Sequence, residues 1–355
     1  MALAEGRMSA PAAASRAEAR RGPFPWDLLG VVVLAIIAAF TPDLLRFVFD
    51  RASVSYLSIA SNALSLAILA LSWDMLARTG NLSLAHAAFY GAGAYTTALL
   101  VKHADVPLWL GIPLGGVVAV AFALLLGSFT LRLRGIYFAI ATLAFAEVLK
   151  SVVHHAPTDF AGGNAGMNVP ALFRPVFIAG EMERWEVAYM RNEAYFYVYA
   201  GLLVATVLAS ILLQRSRLRH AMTAMRTNEE VAGVMGVRAT RVKLLAFTLS
   251  SAFVGMLGAV EAHRVGSVLP EQSFSVATTV LALVTPIFGG LYTTLGPIVG
   301  AFGLSSVQEL LRRTFADGYL IGYGVVLVLT ILFMPRGVVG TLGTFFRRRR
   351  KGAQR

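Results

Sequence analysis

The segment QRSRLRHAMTAMRTNEEVAGVMGVRATRVK, residues 214–243, is a polar, basic stretch between two long apolar segments. Thr227 lies three residues before Glu230. This is the spacing of a capping box, in which a hydroxyl and a carboxylate satisfy the first backbone N–H groups of a helix. Helices commonly end where a glycine adopts the left-handed conformation, so Gly236 predicts the stop. The sequence therefore predicts a short helix within the polar segment.

This short helix is predicted to be amphipathic. Val231, Val234 and Met235 fall at positions i, i+3 and i+4, which places them on one face, and Ala232 lies beside them. Two interpretations remain open at this point. The segment is either a solvated loop helix or a docking helix that fits the groove of a cytosolic partner.

The composition of the chain indicates a polytopic membrane protein. Hydrophobic residues make up 57% of the 355 residues and charged residues only 14%, which excludes an ordinary soluble domain. The absence of cysteine excludes a disulfide framework and any thiolate metal or redox site. The net charge of +12 does not indicate a nucleic-acid partner, because the basic residues lie between hydrophobic segments rather than along one soluble face.

A helix that spans the membrane needs roughly 20 apolar residues. Ten apolar segments of about this length predict an all-α bundle of about ten transmembrane helices, within a range of eight to ten. The segments are 27–49, 54–72, 82–101, 109–131, 136–153, 195–213, 244–262, 276–291, 295–311 and 319–334. The first segment resembles a signal-peptide core, but we interpret it as a retained anchor because its preceding arm is long and apolar residues resume after Pro42. The short break at Gly289 and Gly290 also fits a re-entrant hairpin.

The distribution of lysine and arginine predicts the orientation. With the N-terminus in the cytoplasm, twenty-one basic residues lie on the cytoplasmic side and nine on the opposite side. The predicted organisation is a cytoplasmic tail over 1–26, expected to be disordered, a transmembrane domain over 27–340 and a basic cytoplasmic tail over 341–355. Residues 154–194 then form an outer loop and residues 214–243 a cytoplasmic loop.

Small residues at spacing four predict close helix packing in three segments. Whether each stripe packs within the chain or against a second subunit is left open by the sequence. The stripes are Ser83, Ala87 and Gly91; Ser251, Gly255 and Ala259; and Gly296 and Gly300.

Polar residues inside apolar segments are candidates for a translocation path, because they are costly in a bilayer. We expect Glu147 to pair with Lys150 and Glu261 with Arg264 near the outer ends of their helices, and Asp74 to pair with Arg78 at the cytoplasmic surface. Residues that could line a path are Asn62, Asn81, His86, Glu147, Gly289 and Gly290.

The sequence shows no catalytic grouping and no metal-ligand cluster, so we expect neither an enzyme nor a cofactor. It also contains no GxxxxGK[ST] phosphate-binding loop. If nucleotide powers transport, another polypeptide must supply the ATPase.

Several blocks of the chain, in one order, resemble the permeases of high-affinity branched-chain amino acid ABC transporters, of the M type. These blocks are GNLSLAHAAFYGAGAYTTALL (80–100), LRLRGIYFAIATLAFAEVL (131–149), RHAMTAMRTNEEVAGVMGVRATRVKLLAFTLSSAFVGMLGA (219–259), GGLYTTLGPIVGA (289–301) and MPRGV (334–338). The segment from Glu230 through Val231 and Ala232 to Gly236 is similar to the E-A-A-x-x-x-G pattern of importer permeases. The later I-x-L-P part of that pattern is replaced by residues 246–249, AFTL.

The resemblance implies a subunit of a binding-protein-dependent importer in a bacterial inner membrane. The implied partners are two cytoplasmic ATP-binding subunits, a second related permease, a periplasmic substrate-binding protein and the lipid bilayer. Residues 227–236 would then transmit the closure of the ATPases. Relatives of similar sequence are associated with branched-chain amino acids, urea, amides or aromatic acids, and fold kinship does not choose among them. The alternative is an ion-coupled secondary transporter, which would need a second helix break to match Gly289 and Gly290.

Overall fold

The computed structural model describes residues 26–173, 184–315, 319–333, 337–339 and 341. Most of the tails predicted over 1–26 and 341–355, and residues 174–183 of the predicted outer loop, lie outside these residues. The helices in chain order are α1 (Trp26–Phe49), α2 (Ser53–Ala77), α3 (His86–Ala104), α4 (Leu108–Thr130), α5 (Ile136–His154), α6 (Thr158–Ala161), α7 (Arg184–Arg215), α8 (Leu218–Thr227), α9 (Glu229–Val234), α10 (Ala239–Val265), α11 (Pro270–Ser273), α12 (Val276–Gly289), α13 (Leu295–Thr314) and α14 (Tyr319–Phe333).

Each of the ten predicted apolar segments corresponds to one long helix, and the all-α class is confirmed. Six helical stretches of the described residues are long and apolar enough to cross a membrane, and the first of them includes both α1 and α2. The other five stretches correspond to α4, α5, α7, α10 and the pair α11 and α12. Length and composition therefore support six spans directly, and the count of ten stays a prediction.

Helices α3, α4 and α10 form the tightly packed centre of the bundle. A Cβ atom on Gly93 of α3 would lie 1.9 Å from the carbonyl oxygen of Gly255 on α10, and one on Gly255 would lie 2.6 Å from the carbonyl oxygen of Gly115 on α4. Only glycine lets three backbones approach this closely. The small-residue stripe that contains Gly255 is therefore used within the chain.

Two helices begin at positions that differ from the prediction. Ser83 precedes α3 rather than lying on it, because the helix begins at His86 and the Ser83 hydroxyl accepts a hydrogen bond from the Ala85 N–H. Helix α7 begins at Arg184, so the last part of the predicted outer loop is helical.

The described residues that follow α5 are attached to the bundle. Strand β1 (Met167–Asn168) pairs antiparallel with β2 (Ser267–Val268), which follows α10. The buried ring of His263 lies 2.9 Å from the carbonyl oxygen of Pro170 and 2.8 Å from the Thr97 hydroxyl. Residues 167–170, α3 and α10 are thereby joined at one end of the bundle.

Candidate functional site

Two short helices, α8 and α9, occupy the polar segment. Thr227 is the last residue of α8, and its hydroxyl donates to the carbonyl oxygen of Thr223 at 3.1 Å. Asn228 caps α9 instead, since its side-chain oxygen accepts from the N–H groups of Glu230 at 3.0 Å and Val231 at 3.2 Å. The predicted capping box at Thr227 was therefore wrong by one residue. Asparagine is as strong an N-cap as the hydroxyl residues, so the neighbouring position could take the role.

The predicted end of α9 at Gly236 is confirmed. Gly236 has φ of +87°, and its N–H donates to the carbonyl oxygen of Gly233 at 3.0 Å. The N–H of Val237 donates to the carbonyl oxygen of Ala232, also at 3.0 Å. These two bonds form a Schellman motif, which satisfies carbonyl groups that the helix end leaves unpaired.

One face of α9 is apolar and exposed. Val231, Val234 and Met235, which we call the docking stripe, are 58%, 88% and 80% exposed, whereas the neighbouring Ala232 is 2% exposed. A helix of six residues is too short to be stable alone in water. Contacts with the rest of the chain must hold it, and they leave the docking stripe uncovered.

Two ion pairs attach α9 to the bundle. The ammonium of Lys243, on α10, lies 2.7 Å from the nearer carboxylate oxygen of Glu229, and the Lys243 side chain is only 1% exposed. Arg134, in the connection between α4 and α5, lies 2.7 Å from a carboxylate oxygen of Glu230. The hydrogen bond to Glu230 raises the pKa of the Arg134 guanidinium.

A buried polar cluster links α8 to the transmembrane helices. The predicted pair of Asp74 and Arg78 is present at 2.7 Å, but it is buried rather than at the surface. Asp74 also accepts from the backbone N–H of Tyr292 at 2.7 Å. The guanidinium of Arg226, on α8, lies 4.0 Å from the centre of the Tyr292 ring. These contacts connect α8 to α2 and to the turn between α12 and α13.

The six residues predicted to line a path do not form one site. His86 is buried and lies 2.9 Å from the Ser250 hydroxyl, and Asn81 is buried near the start of α3. Gly289 ends α12, where a Cβ atom would lie 1.8 Å from the carbonyl oxygen of Gly296, and Gly290 follows it in the turn. Gly289 is therefore required for close packing of α12 on α13, and Gly290 has φ of +133°, in the region that favours glycine.

The predicted pair of Glu147 and Lys150 is wrong. Lys150 pairs with Glu271 of α11 at 2.7 Å, while Glu147 is exposed on α5. The i, i+3 spacing allowed the first pairing, but the turn after β2 brings a second carboxylate to the lysine. The expected pair of Glu261 and Arg264 is present at 2.5 Å.

A cavity of about 320 Å³ lies between α2, α3, α10, α12 and α13, at the end of the bundle where α2 begins. Of the six residues predicted to line a path, Asn62 is the one that lines this cavity. Four charged residues also line it, namely Glu261, Arg264, Glu309 and Arg312. We call this the charged cavity. Across the described part of the chain, no group of three His, Cys, Asp or Glu residues could hold a metal ion.

Comparison with known proteins places the chain among transport permeases. The family described as branched-chain amino acid transport system / permease component matches residues 55–334. The chain belongs to this family. The LivM permeases of the high-affinity branched-chain amino acid transport systems of Salmonella typhimurium and Escherichia coli are 32% and 31% identical to it. Each match covers 88% of this chain and 74% of the relative.

A more distant relative is the ribose import permease RbsC of Bacillus subtilis, which is 23% identical over 37% of this chain and 42% of its own length. No solved structure matches the chain. The family match extends from α2 to α14, so it includes both α9 and the charged cavity of this permease, while α1 precedes it.

The sequence contained a signal for the charged cavity that the path prediction did not use. The spacing E-x-x-R occurs near the C-terminal ends of two apolar helices, as Glu261 to Arg264 and as Glu309 to Arg312. The same spacing also occurs as Glu18 to Arg21 and Glu181 to Arg184. We expected only local pairing of Glu261 with Arg264. Helices α10 and α13 bring both ion pairs to one cavity only through tertiary packing. A single sequence does not show that packing.

Proposed function

We propose that this permease imports branched-chain amino acids across a bacterial inner membrane as one of two related permeases in an ABC importer. Two cytoplasmic ATPases would bind beneath it, and a periplasmic protein would deliver the substrate. The observation that carries the proposal is the docking stripe: an apolar face left uncovered on a short helix that two ion pairs hold in place. Family membership supports the same role.

The bias of basic residues supports a cytoplasmic location for α8 and α9, together with both termini. In that orientation the docking stripe meets the ATPase, and the polar cluster at Asp74 carries its movement to α2, α12 and α13. The charged cavity then opens towards the periplasmic side, where a binding protein would release its cargo. Ten spans and a paired second permease belong to this proposal.

Uptake into proteoliposomes tests the proposal. Vesicles holding this permease, its second permease and the ATPases should take up labelled leucine only when ATP and the binding protein are both supplied. The variant Glu147→Gln should lower uptake only mildly, because Glu147 is exposed and Lys150 is paired with Glu271. Uptake driven by a proton or sodium gradient without ATP, and lost in Glu147→Gln, would identify a secondary transporter instead.

A further inference from the structure

A second cavity, of about 260 Å³, lies at the end of the bundle where α7 ends, and its lining is basic. Arg78, which follows α2, and Arg219 and Arg226 of α8 line it, and we call it the basic cavity. Arg219 and Arg226 are two helical turns apart, so both lie on the same face of α8. Among the described residues, the lining contains no acidic side chain.

The three arginines of the basic cavity differ in how their charges are balanced. Arg78 is buried and pairs with Asp74 at 2.7 Å, so these two charges cancel. Arg226 contacts the Tyr292 ring, which carries no charge to balance it, and Arg219 is exposed. Three arginines and one aspartate leave a net charge of +2 at this cavity. Its chemistry therefore favours an anionic ligand.

An apolar cleft of about 250 Å³ lies beside the basic cavity, between α1, α7 and α13. In the part of the chain that the structure describes, no charged side chain lines this cleft. Its lining includes Val33, Ile37, Val207, Ile211 and Ile298. Val33 and Ile37 are exposed, so the cleft opens to the side of the bundle, where lipid would lie.

Gln214 lines both the basic cavity and the apolar cleft. With its amide oxygen turned towards Arg78, it accepts from Nη1 at 2.7 Å and from the Thr294 hydroxyl at 2.8 Å. Thr294 directly precedes α13 and also lines the cleft. A charged group in the cavity and a hydrocarbon chain in the cleft would therefore be neighbours across one side chain.

The pairing of these two spaces decides the class of ligand. A free phosphate would use the arginines and leave the apolar cleft unoccupied, whereas a fatty chain alone would leave the positive charge unbalanced. A glycerophospholipid joins a phosphate diester to an acyl chain through one glycerol unit, and so can occupy both spaces. A headgroup with an ammonium would be repelled by Arg219 and Arg226, which favours a lipid with net negative charge.

We propose that the basic cavity and the apolar cleft together bind one anionic glycerophospholipid. Its phosphate accepts hydrogen bonds from Arg219 and Arg226, and one acyl chain lies in the cleft against α1. In the proposed orientation this site faces the cytoplasmic leaflet, whose surface is negative because it contains anionic lipids. The bound lipid would connect α8 to α1, a helix that precedes the part of the chain matched by the family.

Native mass spectrometry of the full-length permease, stripped of lipid in a neutral detergent, tests the headgroup. The probes are phosphatidylglycerol and phosphatidylethanolamine with identical acyl chains. We expect one molecule of phosphatidylglycerol to bind about tenfold or more tightly than phosphatidylethanolamine, because only the second carries an ammonium. Equal affinity for the two lipids would overturn the site.

A matched pair of arginine variants separates the basic cavity from general attraction to a basic segment. Arg219 lines the cavity, whereas the exposed Arg217, two residues earlier, does not. Arg219→Gln should weaken phosphatidylglycerol binding about tenfold, the effect of losing a hydrogen bond to a charged group. Arg217→Gln should leave binding within about twofold. An equal loss in both variants would show attraction without a site.

A pair of glycine variants tests the acyl chain. A Cβ atom on Gly30 of α1 or on Gly201 of α7 would meet no neighbouring atom within 4 Å, so leucine fits at both positions. Only Gly30 lines the apolar cleft. Gly30→Leu should fill part of it and weaken binding about fivefold or more, since each displaced methylene loses apolar burial. Gly201→Leu should bind as the wild type does.

Competition with soluble anions distinguishes a lipid from a free phosphate. Inorganic phosphate and glycerol phosphate lack acyl chains, so we expect neither to displace phosphatidylglycerol at millimolar concentration. If either displaces it while Gly30→Leu retains full affinity, the basic cavity is a site for soluble phosphate and the lipid assignment is wrong. The site does not depend on the transported substrate, so these results leave the proposed function untouched.

Discussion

Lys243 donates to both carboxylate oxygens of Glu229, at 2.7 and 2.8 Å, from a side chain that is 1% exposed. The pair joins the start of α10 to the first residue of α9. Because Glu229 is 25% exposed and Lys243 is buried, the two partners do not depend on each other equally. Water can still solvate the glutamate when the lysine is removed, but the lysine has no such compensation.

This asymmetry predicts that Glu229→Gln is more destabilising than Lys243→Met. Removing one partner of a buried pair costs about 3–5 kcal/mol when the other charge is left uncompensated. We expect a cost near that range for Glu229→Gln and a smaller one for Lys243→Met, measured by thermal unfolding of the purified permease in detergent. The double variant should be more stable than Glu229→Gln alone. A larger loss in Lys243→Met than in Glu229→Gln would contradict this account of the pair.

The docking stripe predicts a separate phenotype, in which assembly fails but folding does not. Met235→Asp places a carboxylate where we propose an apolar groove of the ATPase, and an unpaired buried charge is costly. We expect the ATPase to be lost on co-purification while the permease still inserts and unfolds at its normal temperature. Met235→Leu keeps the volume and apolar character and should retain the ATPase. Normal ATPase recovery with Met235→Asp would show that this face is not the contact.

The differences between the predicted and observed helices have physical causes. The apolar run that predicted the sixth span began at Tyr195, but α7 starts at Arg184, because its first turns are polar and still helical. One of them contains Asn192, whose side chain donates to the carbonyl oxygen of Val54 at 3.4 Å. The length of an apolar run identifies the part of a helix that can lie in the lipid bilayer. It does not show how far the same helix continues into polar sequence outside the bilayer.

At the candidate site, too, the sequence predicted features that depend on neighbouring residues but not the choice of helix cap or of ion-pair partner. Composition and spacing predicted the amphipathic helix, its exposed face and its glycine stop, because these depend on neighbours in sequence. The choice between Thr227 and Asn228 as cap, and between Glu147 and Glu271 as partner of Lys150, depended on which backbone and side chains came together on folding.

The proposed orientation predicts the accessibility of single cysteines, which are convenient because the chain has none of its own. Thr227 and Asn164 are both exposed, at opposite ends of the bundle. In intact cells, Thr227→Cys should be protected from a membrane-impermeant thiol reagent and Asn164→Cys should react. The reverse pattern would invert the topology, and reaction at both positions would show that the number of spans between them is wrong.

The glycine contact between α3 and α10 predicts a large difference between two conservative substitutions. In Gly93→Ala the new Cβ atom would lie 1.9 Å from the carbonyl oxygen of Gly255, and backbone cannot move aside as a flexible side chain can. Overpacking of this kind costs about 1–3 kcal/mol, and more where the neighbour is rigid. We therefore expect poor recovery and a lower unfolding temperature for this variant, measured by fluorescence-detected size-exclusion chromatography after heating.

Gly201→Ala is the matched control, since this glycine lies within α7 and a new Cβ atom there would meet no neighbouring atom within 4 Å. Alanine is favoured over glycine in a helix by up to about 1 kcal/mol, so the unfolding temperature of this variant should stay the same or rise. If both variants unfold at the wild-type temperature, α3 and α10 do not meet backbone to backbone at Gly93. The packed centre that holds both the charged cavity and the base of α9 would then have to be arranged differently.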